Sequence, residues 1–308
     1  MSTSEISNSL LALSHNLAAT VEQSGGAVVA VNARTRMPLS GIHWQSGIIV
    51  TSEENLKRSE EITVTLSNGS TVPVTVLGRD SSTDVAVLKL EGVDIPVAQI
   101  GDATSLKVGH LVFALGSSDG NIRAAMGIVS MLSGAWRSMA GGNIDQFIRP
   151  DITLYPGLVG GALVDAAGTV VGMNTSGRRG TVLTIPAATV NRVVKQLLAR
   201  GRIARGYLGL GMQPVRLPDQ LKNTLNLTAN GGVIVVNVEP DGPADQAGML
   251  IGDVMVALNG TPLFDTGDVQ AVLNNSEFVG QTINVQIVRG GTLIEVAIAV
   301  GERPARGN

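Results

Sequence analysis

At 308 residues the chain is longer than one hydrophobic core usually organises, so two domains are expected. Its 22 Lys+Arg against 25 Asp+Glu leave a net charge of −3, which excludes the basic footprint of a nucleic-acid binder. With no cysteine, disulfides and thiolate catalysis are excluded as well; with 3% aromatic residues and 38 glycines, Val, Ile, Leu and Ala must build a turn-rich, strand-rich core.

The first twenty residues, "MSTSEISNSLLALSHNLAAT", carry Glu5 early and show neither a basic stretch nor an unbroken apolar run, so they do not read as a secretory signal. No run approaches the roughly 20 apolar residues that cross a bilayer. A cytoplasmic protein without a membrane span is expected. Leu10, Leu13, Leu17 and Val21 recur at helical spacing, which predicts an amphipathic helix over 7–22 with Ser7 or Ser9 as its cap. Such a helix docks on its own domain or on a neighbouring subunit, the first being commoner.

From Ala27 to Pro186 short strands follow one another, among them "AVVAVNAR", "SGIIVTS", "EITVTLSNG", "LVFALGSS" and "TVLTIPA". Their number and spacing predict a sandwich or a barrel pair. A helix, "AATVNRVVKQLLARG", closes this part, with Val190, Val193, Val194 and Leu197 as its stripe and Gly201 as its stop. From Arg205 the rhythm changes to a mixed α+β domain running through "YLGLGMQPV", "GGVIVVNVEP", "GDVQAVLNN" and the hairpin "TINVQIVRGGTLIEVAIAV". The expected segments are an N-terminal helix at 1–24, an all-β domain at 25–201, a mixed domain at 205–302 and a tail at 303–308.

In this order, "EITVTLSNGSTVPVTVLGRDSSTDVAVLKLEG", "IGDATSLKVGHLVFALGS", "PGLVGGALVDAAGTVVGMNT", "ARGYLGL" and "GGVIVVNVEPDGPADQAGMLIGDVMVALNG" resemble the HtrA/Deg family over residues 25–302. The resemblance implies a mainly β chain, a chymotrypsin-like double β-barrel followed by a PDZ domain. It also implies a Ser-His-Asp triad. Thr83-Asp84-Val85-Ala86 matches the aspartate motif, so Asp84 is present. The histidine position falls at or beside Glu54, and no histidine lies between His43 and His110. Where the family has Gly-Asn-Ser-Gly-Gly, this chain has Gly157-Leu158-Val159-Gly160-Gly161, with Val159 in the nucleophile's place. The turn over Gly157, Leu158 and Val159 would be the former oxyanion loop. The expectation is therefore a chain that is not an enzyme: a pseudoprotease acting as scaffold, adaptor or accessory subunit. Regulation of an active relative, or a hydrolase using Ser52, Ser117 or Ser118, are the alternatives.

Other chemistry finds little support. His15, His43 and His110 are scattered without metal-ligand spacing, so no metal and no cofactor is expected. His110 is expected on the surface, and His43 beside Trp44 is read as structural. The carboxylates of "EENLKRSEE", with Lys57 and Arg58, read as a solvated segment, as does "RRG" at Arg178–Gly180.

The PDZ resemblance implies a site for the C-terminus of a peptide, added as a strand to a sheet edge. Tyr207, Leu208, Gly209 and Leu210 would form the carboxylate turn, and Leu210 with Val269, Val272 or Leu273 the apolar pocket. The partner would be protein, with an apolar C-terminal residue. Family resemblance also implies a homo- or hetero-oligomer, a trimer among relatives.

Overall fold

In the computed structural model the described residues are 3–33, 38–56, 61–153, 155–177, 180–227, 231–274 and 278–303, with side chains from residue 8 onward. Lys57, Arg58 and Glu60 of the charged segment, Arg178 and Arg179 of the basic cluster, Leu154, and residues 304–308 of the tail lie outside them. The chain divides into two compact units, Met1–Ile203 and Ala204–Asn308.

The first unit opens with helix α1, Thr3–Gly25. It starts at Thr3 rather than near Ser7, so Ser7 and Ser9 lie inside the helix instead of capping it. Nothing from residue 3 to 20 is Gly or Pro, so no residue there stops the helix from extending. Leu17 and Val21 pack on the unit's core, whereas Leu10 and Leu13 of the same stripe are exposed.

Six strands follow: β1 (Val28–Asn32), β2 (Leu39–Gln45), β3 (Ile48–Ser52), β4 (Ile62–Thr65), β5 (Thr71–Asp80) and β6 (Val85–Leu90). They close into a barrel in the order β1-β2-β3-β6-β5-β4. Next come β7 (Leu111–Ser118), β8 (Asn121–Ser133), a short hairpin of β9 (Trp136–Arg137) and β10 (Asn143–Ile144), then β11 (Phe147–Pro150), β12 (Ala162–Asp165), β13 (Val170–Ser176) and β14 (Val182–Pro186). A second barrel closes as β11-β14-β13-β12-β7-β8. Two closed barrels are the architecture that the family resemblance implied.

Strand alternation explains why β3, β6 and β7 are buried almost throughout. Successive side chains point to opposite faces. Ile49, Ala86 and Leu88 fill the first barrel, while Ile48, Val50, Val85 and Val87 point the other way. There they meet Phe113, Leu115, Ala162 and Val164 in a shared core between the barrels. The opposite faces of the same second-barrel strands, with Val112, Ala114 and Leu163, fill the second barrel. Three stacked cores thus follow from one period. Helix α2 (Ala187–Arg200) closes the shared core with Val190, Val193, Val194 and Leu197, and ends on Gly201 in the left-handed region, φ 67°. Trp44 joins it to β2 by donating from Nε1 to Asn191 Oδ1 at 2.7 Å.

The second unit contains β15 (Gly206–Tyr207), β16 (Leu210–Arg216), α3 (Asp219–Leu225), β17 (Gly231–Val238), α4 (Pro243–Gln246), β18 (Val254–Leu258), β19 (Thr261–Pro262), α5 (Thr266–Leu273), β20 (Thr282–Arg289), β21 (Thr292–Ala299) and β22 (Gly301–Glu302). Its main sheet runs β16-β17-β18-β20-β21, so β16 is an edge. Asp265 caps α5 in a capping box with Asp268. The core gathers Leu208, Val233, Val235, Met255, Val269 and Ile283.

Candidate functional site

In the first unit, the turn after Tyr155 reaches between the barrels, and its two apolar residues go to different interiors. Leu158 is buried in the second barrel and Val159 in the first. Backbone bonds hold the turn to two strands, β2 and β13. Ser40 N–H donates to Val159 O (2.9 Å), Gly160 N–H to Asn174 O (2.8 Å) and Asn174 N–H to Gly161 O (2.7 Å). Ser40 Oγ donates to Gly157 O (2.6 Å) and accepts from Ser117 N–H (2.8 Å), so the Gly157 carbonyl is committed inward. An isopropyl group at Val159 has no proton to give up and no lone pair to attack with.

Asp84 stands at the start of β6 with φ 58°, a left-handed conformation that aspartate tolerates better than most residues. Its carboxylate accepts from Ser52 Oγ at 3.0 and 2.8 Å, from Glu54 N–H at 2.7 Å, and from the Thr175 hydroxyl. Asn55 Nδ2 in turn donates to Ser52 Oγ at 3.2 Å. Three donors therefore surround the carboxylate, with the single Ser52 hydroxyl proton shared between its two oxygens, and none of the three is an imidazole. Glu54 contributes its backbone N–H while its residue is exposed. Ser52 itself is fully buried, Ser117 is buried, and Ser118 Oγ donates to Asp119 at 3.3 Å.

The three histidines lie elsewhere. His15 is exposed on α1 and His110 is exposed before β7. His43 is buried, with Nδ1 at 2.9 Å from Pro96 O and Nε2 accepting from Gly47 N–H at 3.1 Å. A carbonyl only accepts and an amide only donates, so this geometry assigns the proton to Nδ1.

Burial raises the Asp84 pKa above the ordinary carboxylate range, against the lowering effect of the Glu54 N–H and the Thr175 and Ser52 hydroxyls. A raised folded-state pKa gives stability that is fully present below the unfolded value of about 4 and is lost as pH rises through the folded value. Asp84→Asn is expected to remove that decline, read as urea unfolding of the barrel pair between pH 4 and neutrality. A variant that keeps the wild-type slope would contradict it.

In the second unit, the turn Tyr207-Leu208-Gly209-Leu210 joins β15 to the edge strand. Leu208 O accepts from Ala244 N–H (2.9 Å), and Gly209 O accepts from Glu239 N–H (2.8 Å). The first of these also satisfies an amide in the opening turn of α4. Every peptide bond here is trans, so a carbonyl bonded into the body turns the next N–H the opposite way. Gly209 N–H and Leu210 N–H therefore turn away from these bonds side by side, with Gly209 buried and Leu210 half-buried as residues. Gly209 has φ 73°, the conformation that lets successive amides converge. Successive amides turned the same way suit an anion.

Of the side chains expected at the pocket, Leu210 and Val272 are half-buried against the core. Val269 and Leu273 are buried, on the core side of α5, and Leu208 is buried too. Tyr207 is half-buried, pairing with Gly301. Sequence reading missed Met212, half-buried beside Leu210; the i, i+2 spacing in "LGLGM" was its signal.

Residues 39–173 match the model of the trypsin-like peptidase domain, and residues 206–300 that of the PDZ domain. A protein of Pseudomonas savastanoi pv. phaseolicola, named "Probable periplasmic serine endoprotease DegP-like", is 35% identical over 268 residues. That match takes in 85% of this chain and 55% of the relative, so the chain spans about half the length of the curated relatives it matches. Among solved structures, the HtrA-type protease AlgW with a decapeptide matches at TM-score 0.74 and 26% identity, over 94% of this chain and 99% of that one. AlgW with a tripeptide matches at TM-score 0.73 and 28% identity, over 94% and 98%.

Two expectations are corrected by these names. The chain was expected not to be an enzyme, yet its relatives are named serine endoproteases. Reading three positions as the whole machinery left out what oxyanion donors and a binding cleft supply. A cytoplasmic location was expected, yet the relatives are named periplasmic. Location is set by targeting signals, and the make-up of folded domains does not report it. Among the described residues no helix is long and apolar enough to cross a membrane.

Proposed function

Given that the chain belongs to the HtrA family, we propose that its second unit captures the free C-terminus of a protein whose last residue is apolar, and that the protein works through such contacts as a scaffold, adaptor or accessory subunit. The observation that carries this reading is the pair of N–H groups at Gly209 and Leu210 turned away from the turn's own bonds, at the mouth of the edge strand β16. The carboxylate lies against those amides, the ligand extends as a strand along β16, and its last side chain enters between Leu210, Met212 and Val272. The decapeptide and the tripeptide named with AlgW support a peptide ligand for this fold.

Assembly with a second copy or another chain runs, in this reading, through α1, where Leu10 (63% exposed), Leu11 (58%) and Leu13 (49%) are uncovered. Any hydrolysis in the barrel pair proceeds through residues other than Val159.

Hydrogen exchange of the full chain, with and without a saturating peptide that ends in valine, tests the site. Protection is expected at Leu210 and Met212 and along α5. Protection confined to β20 and β21, or absent altogether, would sink this reading.

A further inference from the structure

Along β16 the Cα partners are Leu210↔Val238, Gly211↔Asn237, Met212↔Val235, Gln213↔Ile234 and Pro214↔Val233. The bond from Glu239 N–H to Gly209 O marks Leu210↔Val238 as a non-hydrogen-bonded pair, in which neither residue bonds across. The N–H and C=O of Leu210 therefore point off the sheet, toward the open edge. The register shift between Gly211 and Met212 skips Val236, so the extra residue belongs to β17. Alternation along β16 continues undisturbed, and Met212 and Pro214 follow Leu210 on the open side. Pro214 fits only there, since a proline facing β17 would break the ladder.

The open edge thus offers a donor at Leu210, a donor at Met212, and none at Pro214. At Pro214 the ring carbon Cδ stands where the N–H would be, and it holds an approaching carbonyl at a distance.

We propose that this edge reads the main chain of only the last three residues of its ligand, with Pro214 as the stop. The inference rests on the C-terminal capture proposed above. The Leu210 N–H meets the carboxylate, and its carbonyl accepts from the last residue's N–H. Met212 exchanges both bonds with the third residue from the end. The fifth residue from the end finds no donor, so the sequence ahead of the last few residues is left unread. The ligand class is then defined by a short free tail, such as a newly exposed C-terminus, and not by an extended segment.

The test uses the full chain and two synthetic peptide pools with free carboxylates. One pool has three residues, an apolar last position and two randomised ones. The other carries the same three preceded by five alanines. Fluorescence competition is expected to give the two pools affinities within about twofold on the wild-type chain. Pro214→Ala is expected to strengthen the longer pool about three- to tenfold, the worth of one restored hydrogen bond, and to leave the short one unchanged. A wild-type affinity that climbs severalfold from three residues to eight would overturn the inference, and that comparison needs no variant. Binding of neither pool by the folded chain would overturn the capture reading itself, and this inference with it.

Discussion

Gly160→Ala is expected to destabilise the barrel pair by about 3 kcal/mol, one of the largest single-residue effects in the chain. Gly160 has φ 76°, where a β-carbon meets the neighbouring carbonyl. The added carbon would also lie 2.2 Å from Ser40 O, 2.7 Å from Thr51 Oγ1 and 3.1 Å from Ser52 N. Two of those three atoms are backbone of β2 and β3, and they sit in a closed barrel. Ser40 cannot retreat without releasing Val159 O and Gly157 O, both of which it bonds. The cost therefore spreads from the turn into both barrels. Urea unfolding followed by circular dichroism checks this. A loss under about 1 kcal/mol would mean that β2 and β3 give way more easily than their closure implies.

Arg289→Met is expected to cost the second unit about 2–3 kcal/mol. Asp253 is 2% exposed and accepts from Arg289 Nε and Nη2, each at 2.7 Å, and from Leu250 N–H at 2.7 Å. Burial pushes its pKa up, but the Arg289 hydrogen bonds, the Leu250 N–H and the guanidinium charge outweigh burial and hold the carboxyl below the ordinary range. Removing Arg289 leaves a buried charge with one donor. The guanidinium side is one-third exposed, so water relieves part of the cost and brings it to or just below the lower end, about 3 kcal/mol, of the range for broken buried pairs. A depressed folded-state pKa gives stability that is present above about pH 4 and lost as pH falls through the folded value. The gap between wild type and variant should therefore narrow in acid. Hydrogen exchange of β17 and β18 at pH 7 and below pH 4 reads it, and a gap that widens in acid would contradict the assignment.

The parts legible in the sequence were those written in local periods. Short apolar runs such as "SGIIVTS" and "LVFALGSS", spaced by turn residues, announced strands, and the Val190-Val193-Val194-Leu197 stripe with Gly201 announced α2 together with its stop. Motif order supplied the two-barrel and PDZ architecture. Less legible was whatever depends on residues far apart. Asp84 meets Ser52 and Thr175 only because β3, β6 and β13 come together, and neither contact has a sequence signature. The direction of the amides at Gly209 and Leu210 depends on Ala244 and Glu239 taking the carbonyls, a fact of packing. Helical spacing also does not say which side of α5 looks into a groove, so Val269 and Val272, three apart, stood level until burial separated them. Activity and location lay further still from local pattern, and there the relatives' names corrected the reading.

The most direct measurement is calorimetric titration of the full chain with one eight-residue peptide carrying an apolar last residue, prepared both as the free acid and as the C-terminal amide. Hydrogen bonds to a charged group are worth about 1.5–3 kcal/mol, so the acid should bind at least tenfold more tightly than the amide. Equal affinity for the two forms would contradict capture of a C-terminus at Gly209 and Leu210.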